Sequence, residues 1–256
     1  MNEHGLNFKT RLRAGERLVG TFVKTPHPAV VEVLGHAGLD CICLDCEHAP
    51  FDRSTLDAAL LAARALKVPA LVRPLRAEAA EILNALDLGA TGILAPHITS
   101  GEQARALVRA AQYGPGGRGY AGSTRAASYG TRTVAQNIAA ANGAVAVIAQ
   151  IEDAEALSHL DEIAAVDGLD ALFVGRMDLT VSLGATSPTD AVVVDAVRRI
   201  CQAGRRAGRA VGMFASSSQE GMQWIEAGAS LFLLGSDQQW ILQGARELAR
   251  ALHGKG

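Results

Sequence analysis

Lysine is scarce in this sequence, with four in 256 residues: Lys9, Lys24, Lys67 and Lys255. Covalent imine chemistry needs a lysine inside the site, and only Lys24 stands at the end of a predicted strand. Long apolar runs are missing as well. No stretch reaches the roughly 18 residues that a membrane helix requires, and Met1-Asn2-Glu3-His4-Gly5 is not a basic segment followed by an apolar one. Neither a membrane span nor a signal peptide is expected, and the reading is a cytoplasmic protein. Charge of one sign is also lacking. The 24 basic and 26 acidic side chains are spread along the chain and leave a formal net charge of −2, which gives no electrostatic footprint for nucleic acid or an anionic membrane. A small molecule is the expected ligand. The four cysteines imply no disulfide framework. Cys41 and Cys43 alternate onto one face of a strand and Cys46 onto the other, so buried free thiols are expected rather than a zinc cluster.

What is present is apolar residues in short runs. With 49% hydrophobic and 20% charged residues, the chain can bury a large core and is near the size of one α/β barrel. Strands are predicted at 18–23, 41–46, 69–72, 92–95, 145–151, 171–175, 210–215 and 231–234. A leading helix is predicted over 6–17. Further helices follow the strands: one through Val30, Val31, Val33 and Leu34, one capped by Ser54, then 79–88, one opening at Ser100, 134–142, 153–166, 189–207, 219–227 and 238–252. Strands apolar on both faces, alternating with amphipathic helices, argue for a parallel sheet with covered faces, and eight such units argue for a single-domain (β/α)8 TIM barrel. A doubly wound open sheet is the alternative. Residues 114–132 interrupt the rhythm with Gly114, Gly116, Gly117, Gly119 and Gly122 and with Arg118, Arg125 and Arg132. A long loop in a compact domain is expected to be a lid or a subunit contact.

Polar side chains follow the apolar runs. Asp45, Glu47 and His48 close the second strand, Arg73 the third, Gln150 and Glu152 the fifth, and Asp178 lies just beyond the sixth. In a barrel these are the carboxyl ends of the strands, where the active site lies. Glu152 and Asp178 end neighbouring strands and could converge on one hard divalent cation such as magnesium or manganese. Their alternative is to cap the helices behind them. Arg73 could bind a carboxylate or a developing enolate oxygen, or form a structural ion pair with Asp45 or Glu47. His48 suits general acid/base work, and His97, after the fourth strand, is the competing candidate. Without an interior lysine in the later strands, a metal is the expected electron sink for enolate chemistry. The small polar segments Ala215-Ser216-Ser217-Ser218 and Gly235-Ser236-Asp237 suggest phosphate binding only weakly, because Asp237 repels an anion.

Taken together, Leu44-Asp45-Cys46-Glu47-His48-Ala49-Pro50, Val72-Arg73-Pro74, Tyr113-Gly114-Pro115 through Arg118-Gly119, Gln150-Ile151-Glu152 and Val174-Gly175-Arg176-Met177-Asp178-Leu179 resemble the HpcH/HpaI aldolase/citrate lyase family. The likeness is greatest to its class II pyruvate aldolases, such as 4-hydroxy-2-oxoheptanedioate aldolase. That resemblance implies a divalent metal (magnesium, manganese or cobalt) held by Glu152 and Asp178, and pyruvate plus an aldehyde as the cleavage products. It implies Arg73 at the enolate oxygen, His48 with Asp87 in proton transfer, and Asp45 supporting them through water. The backbone of Gly175, Met177 and Asp178 would receive the pyruvate carboxylate, with Gln150 beside the metal. It further implies a homohexamer whose last helix, 238–252, packs on a neighbour through Trp240, Ile241, Leu242 and Leu248.

One departure concerns Arg176 and Met177, where the family commonly has Pro and Ser or Ala. An extra cation stands beside the presumed carboxylate pocket. It could read a second acid group or point to solvent. Two other readings compete with the aldolase. A CoA-ester lyase of the citrate lyase β or malyl-CoA type would use the same enolate logic and a basic groove, and a silent barrel would only bind a dicarboxylate.

Overall fold

The computed structural model describes residues 3–253. A helix, α1 (Glu3–Arg13), leads into β1 (Leu18–Val23), α2 (Pro28–Gly35), β2 (Cys41–Asp45), α3 (Arg53–Ala65), β3 (Ala70–Arg73), α4 (Ala79–Asp87), β4 (Gly92–Ala95) and α5 (Gly101–Ala111). The 114–132 loop carries a short 3-10 turn at Ser128–Gly130 before α6 (Val134–Ala144) and β5 (Ala146–Ile151). There follow α7 (Leu160–Ala164), β6 (Ala171–Val174), α8 (Arg176–Ser182), α9 (Ala191–Arg206), β7 (Ala210–Ala215), α10 (Ser218–Met222), β8 (Leu231–Ser236) and α11 (Asp237–His253).

The eight strands pair in chain order, all in parallel, and β8 returns to β1, so the sheet is a closed barrel. The predicted barrel is present and the open sheet is not. The apolar strand residues divide by alternation between two cores. Ile42, Leu44, Val72, Ile93 and Val174 face outward into the layer shared with the helices. Cys41, Cys43, Leu71, Ile148 and Phe173 face inward, and Phe8 and Leu12 of α1 pack against that inner cluster. The helix therefore plugs the bottom of the barrel. Beneath the plug, Asp170 accepts from the Val147 backbone N–H at 2.8 Å and pairs with Lys9 at 3.3 Å and Arg13 at 2.5 Å. All four cysteines are free thiols; Cys41, Cys43 and Cys201 are buried, whereas Cys46, expected to be buried, is half-buried in the turn after β2.

The structure departs from the sequence reading mainly where capping chemistry or short helices decide. Asp52, not Ser54, caps α3, because its carboxylate accepts from Thr55 N–H while the Thr55 hydroxyl accepts from Asp52 N–H in a reciprocal box. Ser100 caps α5 as predicted. The leading helix starts three residues and ends four residues earlier than 6–17. The predicted helix 153–166 breaks into a 3-10 segment at Ala154–Ser158 and the short α7, and 219–227 shrinks to α10. The helix α8 was not anticipated. No described helix is long and apolar enough to cross a membrane.

Candidate active site

The register of β2 against β3 sets Asp45 directly opposite Arg73 at the barrel mouth. The inward alternation Cys41, Cys43, Asp45 delivers a carboxylate to the top of the inner core, fully removed from solvent. Arg73 donates to it twice, through Nε at 3.0 Å and Nη2 at 2.9 Å, while its guanidinium lies over the Phe22 ring at 4.7 Å. Lys24 adds a third charge, 3.5 Å from Asp45. Burial alone would push the Asp45 carboxyl up, but the hydrogen bonds and charge of Arg73 outweigh it and hold the group below the usual carboxylate range. The ion pair raised as an alternative for Arg73 is thus formed. The same guanidinium also reaches Glu47, with Nη1 at 3.2 Å.

The chain turns out of β2 after Asp45, and Glu47 stands in that turn. Its carboxylate lies with the His97 imidazole and Glu152 in a cluster whose ligand atoms are all within 4.8 Å of one another. His97 Nε2 is 3.5 Å from Glu47, and Nδ1 is 3.5 Å from Glu152 and 3.0 Å from Asp153. The His97 backbone, held at φ 55° just after β4, donates its N–H to Glu152 Oε1 at 2.9 Å. Gln150 donates to the other Glu152 oxygen. Desolvation raises both Glu47 and Glu152 above the ordinary carboxyl value. Burial works against the charged form of His97, but its hydrogen bond to Asp153 and the neighbouring carboxylates raise it nonetheless.

These features fit a divalent cation. Two desolvated carboxylates and an imidazole supply hard and borderline donors; buried Gln150 Oε1 has no hydrogen-bond partner among the described residues, and Glu47 Oε2 is met only by the ion-pair contacts of Arg73 and His48. A cation would answer the charge that burial leaves uncompensated.

The structure distributes the remaining sequence-predicted residues around this centre. Because Ile151 pairs with Val174, the next residues, Glu152 and Gly175, stand side by side. A Cβ at Gly175 would come within 2.5 Å of the Glu152 carboxylate, so the closeness itself requires glycine. Asp178 sits exposed in the first turn of α8, and its charge acts on Glu47, but it is not one of the three clustered groups. Met177 is exposed beside it. His48 is half-exposed, with Nε2 3.6 Å from Glu47, and its backbone N–H donates to Asp45 at 3.2 Å. Asp87 is not joined to His48 by any contact among the described residues; it pairs with the buried guanidinium of Arg118. Arg176, the departure from the family pattern, is buried and paired with Glu220, whose other oxygen accepts from the Ser216 backbone and hydroxyl. Solvent exposure is thereby excluded for it. Asp237, expected to repel a phosphate, instead accepts from the backbone N–H groups of Lys24 and Thr25. The sequence reading placed Glu47 at the barrel mouth and as a pairing partner of Arg73, and His97 as a competing base, but gave neither a part in metal binding. The signal that could have promoted them was the place of Glu47 in the polar turn after β2 and the Pro96-His97 step after β4.

The sequence model described as HpcH/HpaI aldolase/citrate lyase matches residues 18–243, which contain all eight strands and the whole mouth cluster. The chain belongs to this family. Among curated family members, a hydroxypyruvate/pyruvate aldolase of Paraburkholderia phytofirmans is 37% identical over 93% of this chain and 94% of its own. A 4-hydroxy-2-oxo-heptane-1,7-dioate aldolase of Klebsiella pneumoniae is 34% identical over 94% of this chain and 92% of its own. A crystal structure of a family protein from Burkholderia cenocepacia superposes with a TM-score of 0.92 at 36% identity, covering 96% of this chain and 99% of the other. The HpcH/HpaI assignment makes this barrel a carbon–carbon lyase of the aldolase type.

Proposed function

We propose that the protein is a divalent-metal-dependent pyruvate aldolase that reversibly cleaves 4-hydroxy-2-oxo acids to pyruvate and an aldehyde, with oxaloacetate decarboxylation as a side reaction through the same enolate. The observation that carries this reading is the convergence of Glu47, His97 and Glu152 at the barrel mouth, next to the Asp45–Arg73 pair. Relatives bearing both aldolase names support the substrate class.

Glu152 is common to the cluster and to the ligand pair expected from sequence, so it is assigned as a metal ligand. Asp178 is the proposed second ligand, with Glu47 and His97 facing the same space. A bound magnesium, manganese or cobalt ion would supply Lewis acidity toward the 2-oxo group. The protein supplies the rest. Arg73, fixed by its two bonds to Asp45, offers the guanidinium N–H groups that Asp45 leaves free to the developing enolate oxygen. The backbone from Gly175 to Asp178, opening α8, receives the pyruvate carboxylate. Gln150 holds the Glu152 carboxylate in place. His48, half-exposed above Glu47, takes the proton from the 4-hydroxyl in cleavage and returns it in synthesis. Asp87 is the proposed partner acid, a role that requires its release from Arg118.

The last helix supports a further proposal, a homohexamer. Asp237 is the only buried residue of α11, while Ile241, Leu242, Leu248 and Leu252 are at least half exposed. Such an apolar face is the kind that another subunit covers.

The test is pyruvate release from 4-hydroxy-2-oxo acids by chelator-treated protein, with each of the three metals added back and lactate dehydrogenase as the coupled reporter. Metal-dependent release is expected. Equal release without metal would move the chemistry to Lys24. In parallel, Glu152→Gln, Asp178→Asn and Glu47→Gln are compared for manganese affinity; an unchanged affinity in Glu152→Gln would sink the ligand assignment.

A further inference from the structure

Arg118, Arg125 and Arg132, scattered in the sequence, are brought together on the outside of the barrel. They line one cavity of ≈ 230 Å³ together with Arg64 and Lys67. A single buried water needs only about 10–15 Å³, so the space is sized for a molecule. It lies away from the mouth. Ala70, Thr91 and Val145 in its wall are at the starting ends of β3, β4 and β5, whereas the Glu47–His97–Glu152 cluster is at the finishing ends.

The charge of this cavity is one-sided, since five cationic side chains line it and no carboxylate does. Two of the five are answered from behind. Arg118 pairs with Asp87, and Arg125 pairs with Asp57 at 2.8 Å. The C-terminal ends of α3, α4 and α6 also bring partial negative charge here, and Arg125 meets some of it by donating to Leu88 O at 3.0 Å, while it also donates to Asp57 O, near the start of α3, at 3.1 Å. Arg64, Lys67 and Arg132 remain without an ion pair among the described residues; Arg64 makes one long hydrogen bond, 3.4 Å to Arg125 O. In addition, Arg118 and Arg125, whose side chains are 1% and 9% exposed, each leave a buried Nε with no hydrogen-bond partner. A buried donor without an acceptor is costly. Two of them, beside three unpaired cations and a molecule-sized space, call for an anion.

We propose that this cavity is an anion site, separate from the barrel mouth, that takes a phosphoryl group, either as free inorganic phosphate or on a small phosphorylated metabolite. The guanidinium groups offer paired donors suited to phosphate oxygens, and cations on α3 and on the loop approach from different sides. The assignment uses none of the Glu47, His97 and Glu152 cluster, and meets the pyruvate aldolase reading only through Arg118, which pairs with Asp87.

The experiment is calorimetric titration of the full chain with inorganic phosphate and, separately, with ribose 5-phosphate, chloride being adjusted to hold ionic strength constant. Saturable binding is expected, about tenfold weaker for each cation removed. Lys67→Gly removes one without strain, since Lys67 already holds φ at 63°, and Arg132→Gln removes another; both variants should keep wild-type pyruvate release without phosphate present. Tighter binding of inorganic phosphate assigns the free ion, and tighter binding of ribose 5-phosphate assigns a phosphorylated metabolite. The proposal is overturned by absence of saturation, by unchanged affinity in both variants, or by displacement with pyruvate together with loss of binding in Glu152→Gln.

Discussion

Glu152 has its carboxyl raised by burial, with Gln150 and the His97 backbone only partly offsetting the desolvation. A carboxyl whose folded value is raised binds its proton more tightly when folded, so it costs stability at pH values above that folded value and costs nothing once protonated in acid. Glu152→Gln is therefore expected to raise the melting temperature of the metal-free protein at pH 8, to lose that advantage toward acid, and to abolish the further rise that manganese gives the wild type. Thermal scans with and without manganese at several pH values check all three. Gly175 presents the complementary case. Its missing Cβ leaves room for Glu152 Oε2 and Cβ, which would lie 2.5 and 2.6 Å from a methyl group there. Gly175→Ala should displace the carboxylate by a few tenths of an ångström to an ångström and lower turnover about 100-fold, with the far-ultraviolet circular dichroism unchanged. Turnover near wild type would show that the carboxylate can yield without consequence.

Whole elements decide what these side chains can reach. The eighth helix begins one residue after β6, so Asp178 is carried on the first turn of α8 rather than on the strand itself. That placement separates it from the tight cluster of Glu47, His97 and Glu152 while leaving its charge within reach of Glu47. At the other extreme, α11 is tied down at its start, by Asp237 to Lys24 and Thr25 and by Trp240 Nε1 to Thr21 Oγ1 at 3.0 Å, and then runs exposed. Leu248→Asp places a charge on its apolar face, 71% exposed in the single chain. The expected result is a smaller assembly by light scattering, with the monomer fold retained. An unchanged mass would mean that this face is not the contact.

For the molecule as a whole, one end of the barrel secures the fold and the other carries the chemistry. At the bottom, Lys9 is buried against Asp170 and the Val145 carbonyl, and burial lowers its ammonium pKa despite the attraction of Asp170. Asp170→Ala leaves that cation buried beside Arg13 with no counter-charge and is expected to cost about 3–5 kcal/mol in urea unfolding. Turnover per folded molecule should not change, because no bottom residue touches the mouth. The reverse division is expected of Glu152→Gln and Gly175→Ala, which change turnover and leave the bottom intact.

The barrel was legible because each strand is a short apolar run and each run is followed by an amphipathic helix; the strands β1, β4 and β7 fall at their predicted residues. Polar groups at strand ends are likewise a property of sequence order. Asp45, Arg73, Gln150 and Glu152 gather at the mouth because closing eight parallel strands brings all their carboxyl ends to one rim. Sequence order does not carry distance, however. Whether Arg73 faces Asp45, whether Asp87 meets His48 or Arg118, and whether three arginines of one loop share a cavity with α3 depend on strand register and on how the loop folds back. The sequence by itself determined the barrel, the rim and the residue types on it, since periodicity follows from local backbone geometry. Only the tertiary structure decided the partners, joining Glu47 and His97 to Glu152 across separate strands, because side chains far apart in the chain meet only through closure and register.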